Sequence, residues 1–145
     1  MSKILTVFGA TGNQGGSIIR AVLADVVLSK DYKIRGITRD ASKPAAKALV
    51  EEGVDVVSPS HPKSDTINQA DMDSKASLAD ALKGSHTGFL VTTPDFMSGG
   101  GTQEQTHGKN VADVSSDVGV KCLIYSSLLH VTYQRTPQAC RSPLR

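Results

Sequence analysis

Apolar residues in the first part of the chain form short continuous runs that alternate with stretches of helical spacing. Residues 4–8 are an apolar run followed by glycine, which predicts a strand buried on both faces. From 18 to 27, apolar residues recur at spacings of three and four, which predicts a helix. Residues 33–38 and 54–57 predict two further strands, and residues 45–52, with a proline before and a glycine after, predict the helix between them.

The same alternation continues in the second half of the chain. Residues 74–83 and 103–118 predict helices, and residues 89–93 and 120–126 predict strands. Strands that alternate with helices form βαβ units, whose right-handed crossovers build a parallel sheet. The pattern therefore predicts the α/β class: a Rossmann-type, doubly wound parallel sheet of about five strands.

Two segments break this pattern. Residues 58–69 contain two prolines and almost no apolar residue, which indicates an irregular loop. Residues 129–145 contain two more prolines and have no hydrophobic period, which predicts an irregular or disordered tail. We therefore expect one domain over residues 1–128, with a loop at about 58–68, followed by the tail.

Composition narrows the class of protein. The 145 residues suit one domain, and no apolar run approaches the roughly 20 residues of a membrane span. The two cysteines form no paired motif, so we expect no disulfide framework and no metal site. Such cysteine usage is typical of a reducing compartment, and we expect the protein in the cytoplasm or also in the nucleus. Cys122 lies in the last predicted strand, and we expect it to pack in the core.

The charge of the chain is concentrated at its end. The net charge is +2, but residues 1–134 hold 13 of the 16 Lys and Arg against all 14 Asp and Glu, a charge of −1. A protein that binds the phosphate backbone of nucleic acid usually has a basic surface. We therefore expect no direct nucleic-acid binding and no membrane partner.

A glycine-rich turn lies between the first strand and the first helix. Its spacing is Gly9-x-x-Gly12-x-x-Gly15, the position and pattern of a dinucleotide fingerprint. Glycine there permits a tight turn, a close approach of backbone to a pyrophosphate and close packing of helix on sheet, and the helix N-terminus favours anions. The alternative is a glycine-rich turn without a ligand. The predicted phosphate-binding residues are Gly9, Ala10, Thr11, Gly12, Asn13, Gln14 and Gly15.

The end of the second strand indicates which dinucleotide is bound. An NAD site usually has an acidic residue here, whereas the sequence after Thr38 begins with Arg39. A guanidinium can pair with a 2′-phosphate through two charge-assisted hydrogen bonds, Lys43 adds a second positive charge, and the hydroxyl of Thr38 adds a further hydrogen bond. Asp40 is the contrary observation, because it could accept from the ribose hydroxyls of NAD(H). We predict NADP(H) in preference to NAD(H).

These motifs together resemble the NmrA-like family of atypical short-chain dehydrogenase/reductases. The resemblance rests on GATGNQGG after the first strand, Thr38-Arg39 after the second, and the helix from Gln103 that leads into residues 120–127. It implies a Rossmann-type NADP(H)-binding domain. Members of the family act as reductases or as redox-sensing regulators that bind nucleotide and partner proteins.

The resemblance also implies further contacts with the dinucleotide. Asp71 and Met72 correspond to the segment that flanks the adenine. Thr92, Thr93 and Pro94 correspond to the segment beside the nicotinamide-side ribose, a placement that also follows from the binding of ligands at the carboxyl ends of parallel strands.

The chain departs from the family in ways that bear on catalysis. The loop at 58–68 is an insertion that displaces Asp71 along the chain, and the resemblance ends soon after Leu128, before the expected substrate region. No tyrosine is followed at four residues by lysine, a pair that moves a proton in many related reductases. We therefore predict no catalytic residue.

These observations leave three interpretations of function. We favour a redox-sensing regulatory module that binds NADP(H) and a regulatory protein partner without efficient turnover. The alternatives are a fragment of an NADPH-dependent reductase, and a truncated product that neither senses nor catalyses.

Overall fold

Strands and helices alternate along the chain in the order expected of βαβ units. The computed structural model describes residues 2–38, 40–58, 72, 74–92 and 102–127. Its elements in chain order are β1 (Lys3–Phe8), α1 (Asn13–Ala24), α2 (Leu28–Asp31), β2 (Tyr32–Ile37), α3 (Pro44–Glu51), β3 (Asp55–Val57), α4 (Lys75–Leu82), β4 (Thr87–Val91), α5 (Thr102–Asp117) and β5 (Cys122–Ser126).

The five strands form one parallel sheet in the order β3-β2-β1-β4-β5. Phe8 pairs with Ile37 on one side of β1, and Val7 pairs with Phe89 of β4 on the other. The strand order therefore reverses between β1 and β4, and in doubly wound sheets a crevice opens above that point. The predicted fold class is confirmed.

Two apolar cores cover the two faces of the sheet. Val7 points into a core shared with α1 and α3, whose other members include Ile19 and Leu49. Phe8, its neighbour in β1, points into a core shared with α4 and α5. Since successive strand residues face opposite sides, a strand between two cores is apolar throughout. This is why residues 4–8 are apolar apart from Thr6, which is buried and whose hydroxyl oxygen lies 2.6 Å from that of Ser85.

The first helix ends earlier than its apolar spacing predicts. α1 ends at Ala24, and Val26 and Val27 are exposed, so their predicted place on the helix is wrong. The Asp25 carboxylate accepts hydrogen bonds from the backbone N–H groups of Val27 and Leu28, at 2.8 and 2.9 Å. An aspartate that captures backbone donors in this way ends one helix and begins another, here the short α2.

β5 is the outermost strand of the described sheet on its side. It pairs with β4 alone, and Cys122 is exposed, as are Ile124 (48%) and Tyr125 (44%). The prediction that Cys122 packs in the core is wrong, because an alternating pattern does not reveal whether a strand is central or at an edge.

Ser115 is a buried polar residue of α5 whose replacement we expect to stabilise the fold. Its hydroxyl oxygen has no hydrogen-bond partner among the described residues. Ser115→Ala removes this desolvated hydroxyl and improves helix propensity, so we expect the free energy of unfolding to rise by about 1 kcal/mol in urea denaturation. Ser116→Ala, at the exposed neighbouring position, should gain no more than about 0.5 kcal/mol. Equal gains in the two variants would contradict the expectation.

Candidate functional site

The glycine turn joins β1 to α1 at the carboxyl edge of the sheet, and its geometry requires glycine. Gly9 has a φ of +66°, a conformation that residues with a Cβ rarely adopt. A Cβ added to Gly15 would lie 2.3 Å from the carbonyl oxygen of Gly9. The helix therefore packs directly on the turn, closer than any side chain would allow.

The turn leaves backbone donors at the start of α1. The N-cap residue is Gly12, which has no side chain to cap the helix, and its N–H donates back to the Gly9 carbonyl oxygen at 2.9 Å. The N–H groups of Asn13 and Gln14, in the first turn, have no acceptor within the helix. Together with the positive end of the helix dipole, they suit an anion such as a phosphate.

The end of β2 lies directly against this turn. The Ala10 N–H donates to the Ile37 carbonyl oxygen at 3.1 Å, and the hydroxyl oxygens of Thr11 and Thr38 are 3.5 Å apart. Thr38 is buried, whereas Thr11 is exposed. The structure thus brings together the glycine turn and Thr38, two of the segments that the sequence assigns to a dinucleotide.

Asp40 uses its carboxylate within its own loop. One carboxylate oxygen accepts hydrogen bonds from the Ser42 hydroxyl at 2.6 Å and from the Ser42 N–H at 2.8 Å. These bonds, with a smaller contribution from the charge of Lys43, hold the pKa of Asp40 below its usual value. Asp40 is therefore ionised at neutral pH and shapes the loop that leads to Lys43, the exposed N-cap residue of α3.

A cluster of three polar side chains lies at the end of β4. Thr92 is 7% exposed, and its hydroxyl donates to the Glu104 carboxylate at 2.7 Å. The phenol oxygen of Tyr125 lies 2.8 Å from the Thr92 hydroxyl and 3.4 Å from the same carboxylate. The sequence did not identify Glu104 or Tyr125 as site residues, because they lie 12 and 33 positions beyond Thr92 and share no motif with it.

The ends of β4 and β5 both lie beside the glycine turn. A Cβ on Gly9 would lie 3.2 Å from a methyl carbon of Val91, the last residue of β4. The Ser126 hydroxyl, at the end of β5, donates to the side-chain oxygen of Gln14 at 2.5 Å. A ligand that leaves the turn toward this side must therefore pass over the ends of these two strands.

Four of the predicted site residues, namely Arg39, Asp71, Thr93 and Pro94, lie outside the described residues. The same is true of most of the segment 58–68 and of the whole tail 129–145. Met72 is described: it packs against the core of α4 and α5, and its carbonyl oxygen accepts a hydrogen bond from the Asn110 amide at 3.0 Å. The dinucleotide contacts assigned to Met72 and to the four undescribed residues stay predictions.

No group of three or more His, Cys, Asp or Glu among the described residues is placed to hold a metal ion. None of the helices in this part of the chain is long and apolar enough to cross a membrane.

The chain is similar to known proteins over nearly its whole length. The model of the NmrA-like family matches residues 1–140. The NmrA-like family domain-containing oxidoreductase malD of Malbranchea aurantiaca is 34% identical over 132 residues, which are 89% of this chain and 35% of that protein. The chain thus spans about a third of the length of this relative.

Solved structures share the fold. The NADPH-dependent quinone oxidoreductase QOR2 of Escherichia coli, solved with NADPH, has a TM-score of 0.63 and 28% identity, and covers 92% of this chain and 39% of its own. NmrA, a negative transcriptional regulator solved with NADP, has a TM-score of 0.64 over 94% of this chain and 36% of its own. At 21% identity, the likeness to this regulator concerns the fold alone.

Proposed function

The chain belongs to the NmrA-like family, and we propose that it is an NADP(H)-binding domain that acts as a redox-sensing regulatory module without efficient turnover. The observation that carries the proposal is the glycine turn: Gly15 packs on the Gly9 carbonyl, so the uncapped start of α1 faces the crevice where the strand order reverses. This arrangement suits the pyrophosphate of a dinucleotide. NADPH is bound in the quinone oxidoreductase that shares this fold.

The preference for NADP(H) rests on the loop after β2. Arg39 and Lys43 supply the positive charges that a 2′-phosphate requires. Asp40 would have to accept from the ribose hydroxyls in an NAD(H) site, but one oxygen of its carboxylate already accepts two hydrogen bonds from Ser42. These contacts give Asp40 a structural role within its own loop, while its second carboxylate oxygen can still accept a hydrogen bond.

We expect Arg39→Ala to weaken NADP⁺ binding by roughly 10- to 100-fold, because a charge-assisted pair with the 2′-phosphate is lost. NAD⁺ binding should stay within about twofold, since NAD⁺ lacks that phosphate. Calorimetric titration of both dinucleotides measures the two effects. Arg20→Ala, at an exposed position on α1, is the matched control and should change neither affinity. Equal affinity of the unaltered protein for NAD⁺ and NADP⁺ would contradict the role of Arg39, and no binding of either would overturn the proposed function.

The regulatory role is supported by the sequence and not by geometry. Among these 145 residues, no tyrosine is followed at four residues by lysine, the proton-transfer pair of many related reductases. A module of this kind would present a surface to a protein partner in the cytoplasm or the nucleus. Copurification of a partner that is released by one redox form of the dinucleotide, and not by the other, would support this role.

A second candidate function is part of an NADPH-dependent oxidoreductase. It is favoured by the names of the similar proteins, since malD is an NmrA-like family domain-containing oxidoreductase and QOR2 an NADPH-dependent quinone oxidoreductase. Loss of NADPH absorbance with a quinone as acceptor, above the rate without protein, would favour this candidate. Tight NADPH binding without such turnover would favour the regulatory module.

A further inference from the structure

Glu104 and Tyr125 have no part in the function proposed above, yet they hold Thr92, at the strand end where the nicotinamide half of a dinucleotide would lie. Leu90 of β4 pairs with Tyr125 of β5, so the phenol reaches along the strands toward Thr92, beyond the end of β4. A Cβ on Gly9 would lie 3.2 Å from a methyl carbon of the neighbouring Val91, so the last residue of β4 borders the glycine turn. Thr92 of the cluster directly follows Val91, the residue that borders the glycine turn.

The hydrogen bonds of the cluster have a direction. Thr92 donates its one hydroxyl proton to Glu104, so it can only accept from Tyr125, and the phenol proton points to the Thr92 oxygen with the carboxylate as a second acceptor. Glu104 lies in the first turn of α5, where the helix dipole favours a negative charge. The carboxylate thus anchors both hydroxyl groups and connects α5 to the ends of β4 and β5.

The cluster also explains why Thr92 itself is buried. Its hydroxyl is occupied within the protein, so its contribution to a ligand is the course of the backbone that it fixes at the end of β4. On the other face of the sheet, the Ser126–Gln14 hydrogen bond fixes the end of β5 to the first turn of α1. The two strand ends that a nicotinamide-side ribose would cross are held from both sides.

We propose that Glu104 and Tyr125 are positioning residues for the nicotinamide half of the bound dinucleotide, and that they act through Thr92. This role rests on the proposed function, because it requires that the dinucleotide binds at the glycine turn. It assigns no contact of either side chain with the reacting atoms.

The test compares a ligand with and without the nicotinamide half. NADP⁺ and 2′,5′-ADP, which lacks that half, are titrated into the full chain and into its Tyr125→Phe and Glu104→Gln variants. We expect each variant to bind NADP⁺ about fivefold more weakly, the effect of losing about one hydrogen bond of the cluster, with 2′,5′-ADP binding unchanged within about twofold. A general loss of structure would lower the affinities for both ligands together.

Two controls make the outcome specific. Tyr32→Phe removes a phenol near the amino end of the sheet, beside His86, and should leave the affinity ratio of the two ligands unchanged. Thr92→Ser keeps the hydroxyl and should leave the affinity for NADP⁺ relative to 2′,5′-ADP unchanged. Thr92→Val should lower this relative affinity, as Tyr125→Phe does.

Three outcomes would overturn the proposal. Parallel weakening of both ligands, or unchanged NADP⁺ affinity in both the Tyr125→Phe and Glu104→Gln variants, refutes the positioning role and leaves the proposed function intact. If the unaltered chain binds neither ligand at millimolar concentration, the proposed function fails and the positioning role fails with it.

Discussion

Gly15→Ala is expected to lower the free energy of unfolding by about 3 kcal/mol and to weaken NADP⁺ binding at least about tenfold. The added Cβ would lie 2.3 Å from the Gly9 carbonyl oxygen and 2.8 Å from the Gly9 carbonyl carbon. Both are backbone atoms, so no change of side-chain rotamer can relieve the overlap. Relief requires α1 to move away from the turn, which would displace the N–H groups of its first turn from a bound phosphate. Urea denaturation and calorimetric titration measure the two effects separately.

Gly108→Ala is the matched control for this substitution. Gly108 lies within α5, and a Cβ there would meet no atom of the described residues within 4 Å. Alanine should therefore stabilise the chain by about 0.5 to 1 kcal/mol through helix propensity, and NADP⁺ affinity should not change. Loss of stability in both glycine variants would show that the effect at Gly15 is not caused by its contact with Gly9.

Arg35→Met is expected to lower the free energy of unfolding by about 3 kcal/mol, because the guanidinium caps the end of a helix. One Arg35 nitrogen donates to the carbonyl oxygens of Ala81 and Lys83, at 3.1 and 2.9 Å, where α4 ends. Carbonyls at a helix C-terminus lack donors within the helix and carry the negative end of its dipole. Methionine keeps most of the apolar stem, so the loss measured by urea denaturation reports the missing hydrogen bonds.

Asp55→Asn separates this cap from the ion pair of the same arginine. The Arg35 Nε lies 3.3 Å from a carboxylate oxygen of Asp55, and the two side chains are 18% and 67% exposed, respectively. A pair with one partner in water contributes at most about 1 kcal/mol, so Asp55→Asn should have a much smaller effect than Arg35→Met. Equal effects of the two substitutions would mean that the ion pair, and not the helix cap, accounts for the role of Arg35.

Much of the fold could be predicted because its pattern is local. The continuous apolar run of β1 and the bounds of α4 depend on neighbours within a few residues, and α4 begins after Ser74, whose hydroxyl accepts from the Ser77 N–H. The errors lie where another contact competes with the hydrophobic period. Asp25 ends α1 before Val26 and Val27, and β4 begins two residues early, at Thr87, because that residue pairs with Leu5.

The candidate site was partly predictable for the same reason. The glycine spacing appears directly in the sequence, and the structure places Gly9 and Gly15 in the contact that this spacing implies. The polar cluster at the end of β4 could not be predicted, since Thr92, Glu104 and Tyr125 belong to three separate elements. Ser126 and Gln14, 112 residues apart, meet only because β5 lies on the same side of β1 as β4.

By itself, the sequence determined the alternation of strands and helices, the glycine turn and the family of the chain. The alternation and the turn follow from periodicity and spacing, which act between residues close in the chain, whereas the family follows from the resemblance of the motifs and the family match. Only the tertiary structure decided that β5 is the outermost of the described strands on its side with Cys122 exposed, that Arg35 caps α4, and that Glu104 and Tyr125 hold Thr92. Those contacts depend on the order of strands in the sheet and on side chains that meet across it, and hydrophobic spacing encodes neither.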